Sequence, residues 1–316
     1  MNNVDILIPV HGIPIYLKQT LQSVVSQKFI NKIYLVLDRV DMSYFSRLDI
    51  AKQSENIEIV VSKKPGIVEA LNLGLSISKA KYIARIDSDD LMIDNRIEIQ
   101  RNFMENNLNC VCVGSNLEVF GENIGKYVKK YPTAFKSIMR RMEYQNSIAH
   151  PSVMYLADKV RQVGGYRNLF EGSEDYDLWF RLSKVGEIRN INAPLTKYRK
   201  SPEQYSMKFS KYRVTLDSLV RIANFDSEVK KNIVNYYQQS SSTKVEEIYS
   251  YQLNYIGGND RPLLRKIKKY EAFSILLVEF SVREKLSIWR SLRIIAFFVI
   301  HYPFFSGKVL LNRILI

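Results

Sequence analysis

Two clusters of acids carry the chemistry in this sequence. The first, Asp87-Ser88-Asp89-Asp90, follows an apolar run and sets three carboxylates within four residues. Such groups repel one another unless a cation neutralises them, and carboxylate oxygens are the hard ligands that Mg2+ and Mn2+ prefer. A divalent cation together with a diphosphate is the simplest account; the alternative is a solvated loop in which Asp or Ser caps the helix that follows. The second cluster, Glu171-Gly172-Ser173-Glu174-Asp175-Tyr176-Asp177, runs into Leu178, Leu182 and Val185 at helical spacing. A carboxylate there could accept a proton, although acids in a first helical turn are also favoured by the macrodipole and by capping.

The residues before these clusters indicate how they are held. Four short apolar runs, Val4 to Val10, Ile33 to Leu37, Ile57 to Val61 and Tyr82 to Ile86, alternate with segments of helical period such as Leu17, Leu21, Val24 and Val25, or Ala70, Leu71, Leu75 and Ile77. Continuous apolar runs suit strands buried on both faces, and their alternation with helices predicts a parallel α/β sheet. Ligands of such sheets bind beyond the carboxyl ends of the strands, which here are Pro9-Val10-His11-Gly12, Asp38, Lys63-Lys64-Pro65-Gly66 and the Asp87 cluster. After residue 115 the rhythm breaks: a strand-like stretch from Leu117 to Val119 leads into residues 126–141, with six Lys or Arg and no acid, an expected insertion or subdomain. From Lys208 onward the sequence predicts three or four amphipathic helices.

The chain has 316 residues and 46 Lys and Arg against 32 Asp and Glu, a formal charge of +14. With 46% hydrophobic and 12% aromatic residues, composition excludes disorder, collagen and low-complexity repeats, so the charge sits on a folded body whose partners are polyanions. Much of it lies between Arg261 and Ile316, which hold 11 Lys and Arg against three acids. Within that segment Ile294 to Gly307 is free of charge, but at 14 residues it falls short of the roughly 20 that span a bilayer and suits an interfacial segment better. Cys110 and Cys112 lie two apart in an apolar run and are expected to be buried, reduced thiols. Histidines at 11, 150 and 301 offer no Cys/His cluster for zinc. The opening residues lack the basic stretch and apolar core of a signal peptide, so a cytoplasmic protein is expected.

In this order the motifs resemble the inverting glycosyltransferases of family 2, which have the GT-A fold. The resemblance covers residues 3–206. It rests on Ile6-Leu7-Ile8-Pro9-Val10-His11, Leu35-Val36-Leu37-Asp38, the run from Gly66 to Leu75, Tyr82 to Asp90, His150-Pro151-Ser152-Val153-Met154, Gly164-Gly165-Tyr166 and Glu174-Asp175-Tyr176-Asp177-Leu178-Trp179. It implies an α/β GT-A domain over 1–206, with a nucleotide-sugar-binding half at 1–115 and an acceptor half at 116–206, followed by a helical, basic region at 207–316.

The resemblance also implies roles. Pro9, Val10, His11 and Asp38 would line the nucleobase pocket. Gly66, Asn72 and Ser88 would complete the nucleotide side, Asp87 would face the ribose or the metal, and Asp89 would hold Mn2+ or Mg2+ across the diphosphate. Asp175 would be the catalytic base, with Glu174 as runner-up. Trp179 would stack on the acceptor or pack in the core, and Arg199 would belong to a segment that approaches the diphosphate or would remain a surface residue. His150 is read as structural. Many relatives have Asp-Asp-Gly-Ser at the second strand, whereas Leu37-Asp38-Arg39-Val40 keeps only the second Asp, and the Gln-x-x-Arg-Trp motif of processive synthases is missing, so a single addition is expected.

The implied reaction moves one sugar from a nucleoside-diphosphate sugar, a UDP-sugar by preference, to a glycan acceptor linked to undecaprenyl diphosphate, as in O-antigen or capsule assembly. The basic terminal segment would place the enzyme on the anionic inner face of the cell membrane. Two other readings are a nucleotidyltransferase, although His11-Gly12-Ile13-Pro14 lacks a Gly-rich cationic loop, and a basic nucleic-acid binder, for which no motif is found.

Overall fold

A computed structural model describes residues 3–46, 54–122, 124–142 and 145–201, and beyond them only the isolated positions 217, 220 and 224. The chain divides into two units between Met207 and Lys208. The amphipathic helices expected from Lys208, the basic stretch 261–316 and the apolar run 294–307 lie outside the described residues.

The four expected strands form as β1 (Val4–Gly12), β2 (Ile30–Val40), β3 (Ile57–Val61) and β4 (Tyr82–Arg85), and they pair in parallel in the order β3-β2-β1-β4. Ile6, Ile8, Val10, Ile33, Leu35 and Leu37 are buried at the centre of the sheet. Each fully buried aliphatic side chain contributes roughly 1.5–3 kcal/mol over an exposed one, which is what the apolar runs provide.

Helices α1 (Leu17–Val25) and α3 (Ile67–Ile77) cover this sheet, with the short α2 (Met42–Phe45) between them in sequence. Leu17, Leu21 and Val24 on α1 and Val68, Ala70, Leu71 and Leu75 on α3 are buried, as the helical period requires. Gly74 sets how closely α3 approaches β1, because a Cβ there would come within 2.1 Å of Leu7 Cδ1.

Beyond β4 the sheet becomes mixed. The remaining elements are β5 (Leu91–Met92), α4 (Arg96–Asn106), β6 (Cys110–Gly121), β7 (Ile124–Lys129), α5 (Phe135–Met142), β8 (Met154–Leu156), α6 (Ala157–Gln162), α7 (Glu174–Leu182) and β9 (Glu187–Lys200). The order continues β4-β8-β6-β9-β5, with antiparallel pairing at β4/β8, β8/β6 and β9/β5 and parallel pairing at β6/β9. β6 runs unbroken through residue 115, where the apolar rhythm stops, because Ser115 and Asn116 are buried polar residues paired within the interior. The basic stretch 126–141 is no separate subdomain: β7 extends the sheet antiparallel to β6, and α5 follows it. Cys110 and Cys112 are buried free thiols, and burial pushes the Cys110 thiol up to about 12. Among the described residues no helix is long and apolar enough to cross a membrane.

Candidate active site

The acid cluster begins where β4 ends. The Ile86 N–H still bonds Leu7 of β1, and the chain then turns, the Asp90 N–H donating back to the Asp87 carbonyl at 3.2 Å. The turn is anchored on two sides. Thr20 Oγ1 on α1 donates to the Ser88 carbonyl at 2.9 Å, while Arg199 on β9 donates its backbone N–H to Asp90 Oδ1 and its Nε to the Asp89 carbonyl, both at 2.8 Å. Arg199 is held there by the rings of Tyr16 and Phe120 and by Gln19 Oε1. Arg199 is thus partly buried beside the acid turn.

Oxygens of Asp87, Asp89 and Asp90 all lie within 4.8 Å of one another. Burial, then the charges of Asp87 and Asp89, pushes Asp90 well above the ordinary carboxylate range. Burial also raises Asp87, against the opposing pull of Arg85, whose guanidinium forks its carboxylate. Asp90 is fully buried, and its Oδ2 has no hydrogen-bond partner among the described residues. A dense carboxylate set with an orphaned buried oxygen fits a hard divalent cation, which would relieve both the repulsion and the missing partner. Asp90 stands with Asp87 and Asp89 in this set, as the three clustered carboxylates suggest, although the metal role implied by the resemblance names only Asp87 and Asp89.

Beneath the turn lies Arg96, on the buried face of α4. Its guanidinium donates to Gln100, Thr196 and the carbonyls of Pro151, Arg85 and Val153, tying β4, β9 and the segment before β8 into one support. Burial lowers its pKa to about 9. The only signal in the sequence is the i, i+4 spacing of Arg96 and Gln100 on the apolar side of a helix.

At the carboxyl ends of their strands, β1 and β2 bring His11 and Asp38 into register. His11 Nδ1 donates to the Asp38 carbonyl at 3.0 Å and reaches Asp38 Oδ2 at 3.2 Å. The Gly66 N–H donates to the same Oδ2 at 3.2 Å, with Gly66 at φ 114° and the Glu171 carboxylate 3.2 Å from where a Cβ would stand. Burial alone would raise Asp38, but the Arg39 fork and the Gly66 N–H outweigh it and hold the carboxyl below its usual range. Arg39 sits at φ 49°, in the left-handed region that favours glycine, and from there turns back onto Asp38. Pro9 is half-buried beside this group.

Two residues expected here point elsewhere. The Val10 side chain belongs to the apolar core, because alternation along β1 turns it away from its neighbours. Asn72 is consumed by structure: its Nδ2 donates to the Tyr166 carbonyl and its Oδ1 accepts from the Tyr166 N–H, both at 2.8 Å.

The second cluster opens α7. Asp175 is nearly buried; its Oδ2 accepts from Asn146 Nδ2 at 2.8 Å and its Oδ1 from the Tyr176 N–H at 2.7 Å. Its negative charge reaches Asp87, which links the two acid clusters electrostatically. Glu174 accepts from the Gly172 N–H at 2.7 Å and lies 3.8 Å from His150 Nδ1, while burial and the charge of Asp175 raise it to about 7. His150 is a packed structural residue that shares a hydrogen bond with the Tyr166 hydroxyl at 3.1 Å. Asp177 is fully buried between Arg167 and Arg181, a structural ion pair. Trp179 is fully buried, edge-on to His150, so it packs in the core and offers no face to an acceptor.

The family model described as glycosyl transferase family 2 matches residues 5–161. The O-antigen biosynthesis glycosyltransferase WbnJ of Escherichia coli is 29% identical over 212 residues, covering 63% of this chain and 80% of that protein. The amylovoran biosynthesis glycosyltransferase AmsE of Erwinia amylovora is 30% identical over 142 residues, covering 45% of this chain and 53% of that one. Among solved structures, S. aureus TarS 1–349 in complex with UDP-GlcNAc superposes with a TM-score of 0.59 at 12% identity, covering 93% of this chain and 83% of that chain. At that identity the likeness speaks to the fold.

Proposed function

Because this chain is a family 2 glycosyltransferase with the GT-A fold, we propose that it transfers one sugar, with inversion, from a UDP-sugar to a lipid-linked glycan acceptor during surface-polysaccharide assembly. The observation that carries the reading is the pairing of the Asp87, Asp89 and Asp90 oxygens, within 4.8 Å of one another, with a nearly buried, doubly hydrogen-bonded Asp175 whose charge reaches Asp87. The names of the E. coli and E. amylovora relatives support the pathway class, and the ligand of the TarS complex supports the UDP-sugar.

Asp38 and His11 receive the nucleobase in this reading, Asp38 accepting a hydrogen bond from its ring N–H. The Ser88 turn, fixed by Thr20 and Arg199, faces the diphosphate. Asp87, Asp89 and Asp90 hold Mg2+ or Mn2+, which when bound supplies neutralisation of the charge that grows on the departing diphosphate. Asp175 takes the proton of the incoming hydroxyl as that oxygen attacks the anomeric carbon, and Asn146 and the Tyr176 N–H fix the direction in which its carboxylate faces. One base and one displacement invert the anomeric carbon. The basic C-terminal region, residues 207–316, serves as a peripheral anchor on an anionic membrane surface.

Donor screening tests the reading without an acceptor. One UDP-sugar in the presence of Mn2+ is expected to raise the melting temperature and to be slowly hydrolysed, and chelation is expected to reverse both. Stabilisation by no nucleotide sugar, with or without metal, would overturn it.

A further inference from the structure

The basic stretch that follows β6 ends beside the base. Between residues 126 and 141 there are six Lys or Arg and no acid, and Lys126, Lys129, Lys130, Lys136 and Arg140 are exposed. Two cations of this stretch, from different elements, converge on one ring: Lys129 Nζ of β7 lies 5.4 Å and Arg141 Cζ of α5 lies 6.0 Å from the centroid of Tyr131. Tyr131 is fixed in turn, its N–H donating to Asn116 Oδ1 at 2.9 Å and its ring packing on Leu117, Val119 and Ala149.

This assembly is continuous with the Asp175 site. Arg141 Nη2 donates to Gln145 Oε1, and the next residue, Asn146, donates to Asp175 Oδ2. The α5 end is also held from below, where the Tyr176 hydroxyl bonds the Met142 carbonyl. The charges of Arg141 and Asp175 both reach the Tyr131 hydroxyl. Arg141 makes no ion pair among the described residues. A cation that makes no such ion pair, on a rim of like charges that leads toward the Asp175 site, has an anion as its natural complement.

Resting on the proposed sugar transfer, we infer that Lys129 and Arg141, aligned by Tyr131, bind the phosphate or diphosphate group of the acceptor and so present its hydroxyl to Asp175. The neighbouring Lys126, Lys130, Lys136 and Arg140 draw that anion in from solution. This is a second anion site, separate from the acid turn, where a cation would hold the diphosphate of the donor.

The test uses the full chain, saturated with UDP and Mn2+, titrated calorimetrically with farnesyl diphosphate, with farnesol, and with inorganic diphosphate. Farnesyl diphosphate and inorganic diphosphate are expected to bind and farnesol to fail, and Lys129→Gln/Arg141→Gln is expected to weaken the binding by roughly tenfold or more. The charge-keeping Lys129→Arg/Arg141→Lys is expected to bind nearly as the wild type. Unchanged affinity in the Gln variant, displacement of all farnesyl diphosphate by UDP, or equal loss in both variants would overturn the inference. So would loss of retention on phosphatidylglycerol vesicles with farnesyl diphosphate affinity intact, which assigns the patch to a bilayer. If UDP itself fails to bind, the donor reading falls, while the titrations still decide this one.

Discussion

Asn146, which lies between α5 and β8, donates its side-chain amide to Oδ2 of Asp175 at 2.8 Å across 29 positions of sequence. With Oδ1 occupied by the Tyr176 N–H, each oxygen keeps one lone pair, so the carboxylate is oriented before any acceptor arrives. Asp175→Asn keeps the shape but removes the basic oxygen. It should lower transfer by about two to four orders of magnitude, the usual worth of a general base, with donor affinity close to wild type. Nucleoside diphosphate release, followed beside donor calorimetry, reads both; full turnover in the variant would remove Asp175 from the role.

In the proposed reading Asp89 serves the donor, so its loss should show in binding. Asp89→Ala should abolish the Mn2+-dependent part of UDP affinity and leave the metal-independent part as it is in chelated wild type. Titrating UDP against both proteins, with Mn2+ and after chelation, separates the two parts. A variant that still responds to Mn2+ as the wild type does would contradict the assignment.

Glu174 makes stability depend on pH. Burial and the Asp175 charge raise it to about 7, whereas an unfolded glutamate titrates near 4.3. Between those values the folded protein holds a proton that the unfolded chain has lost, so stability falls as pH rises through that window and stays lower above it. Glu174→Gln, which still accepts from the Gly172 N–H, should remove the dependence and gain up to about 3 kcal/mol over the wild type at pH 8 relative to pH 4.5. Denaturant unfolding of both proteins at the two pH values measures it, and parallel pH profiles would exclude Glu174 as the cause.

Trp179 belongs to the core in this structure. Trp179→Ala should cost about 3–5 kcal/mol, as large core truncations do, while Trp179→Phe should retain most of the stability and the acceptor KM. A raised acceptor KM in a stable Phe variant would return the ring to the acceptor.

The half of the molecule that was legible is the half whose inner strands, β1, β2 and β4, are buried, although the edge strand β3 exposes Ile59 and Val61. Val4 to Val10, Ile33 to Leu37 and Tyr82 to Ile86 read as interior strands, and their carboxyl ends therefore located His11, Asp38 and Asp87 to Asp90. What could not be read is direction and partnership. The Val10 side chain turns into the core because β1 alternates, Asn72 spends its amide on Tyr166, and Trp179 faces His150. Each of these depends on which chain segment lies opposite, and the segments that supply Tyr166 and His150 lie in turns between regular elements, where there is no period to follow. Arg96 was hidden for the same reason, since a buried guanidinium is intelligible only once β4, β9 and the segment before β8 are seen to converge on it.

The reciprocal bonds between Asn72 and Tyr166 bear on how such an enzyme can be re-engineered. They fasten α3, which lies between β3 and β4 in sequence, to the turn that leads toward α7, so the earlier and later portions of the domain are not interchangeable modules. A chimaera that grafts the segment from β6 to β9 onto another N-terminal portion inherits a tyrosine backbone that expects an asparagine 94 positions upstream. Grafts that carry Asn72 with them should fold, and those that replace it with an apolar residue should come apart at this seam first.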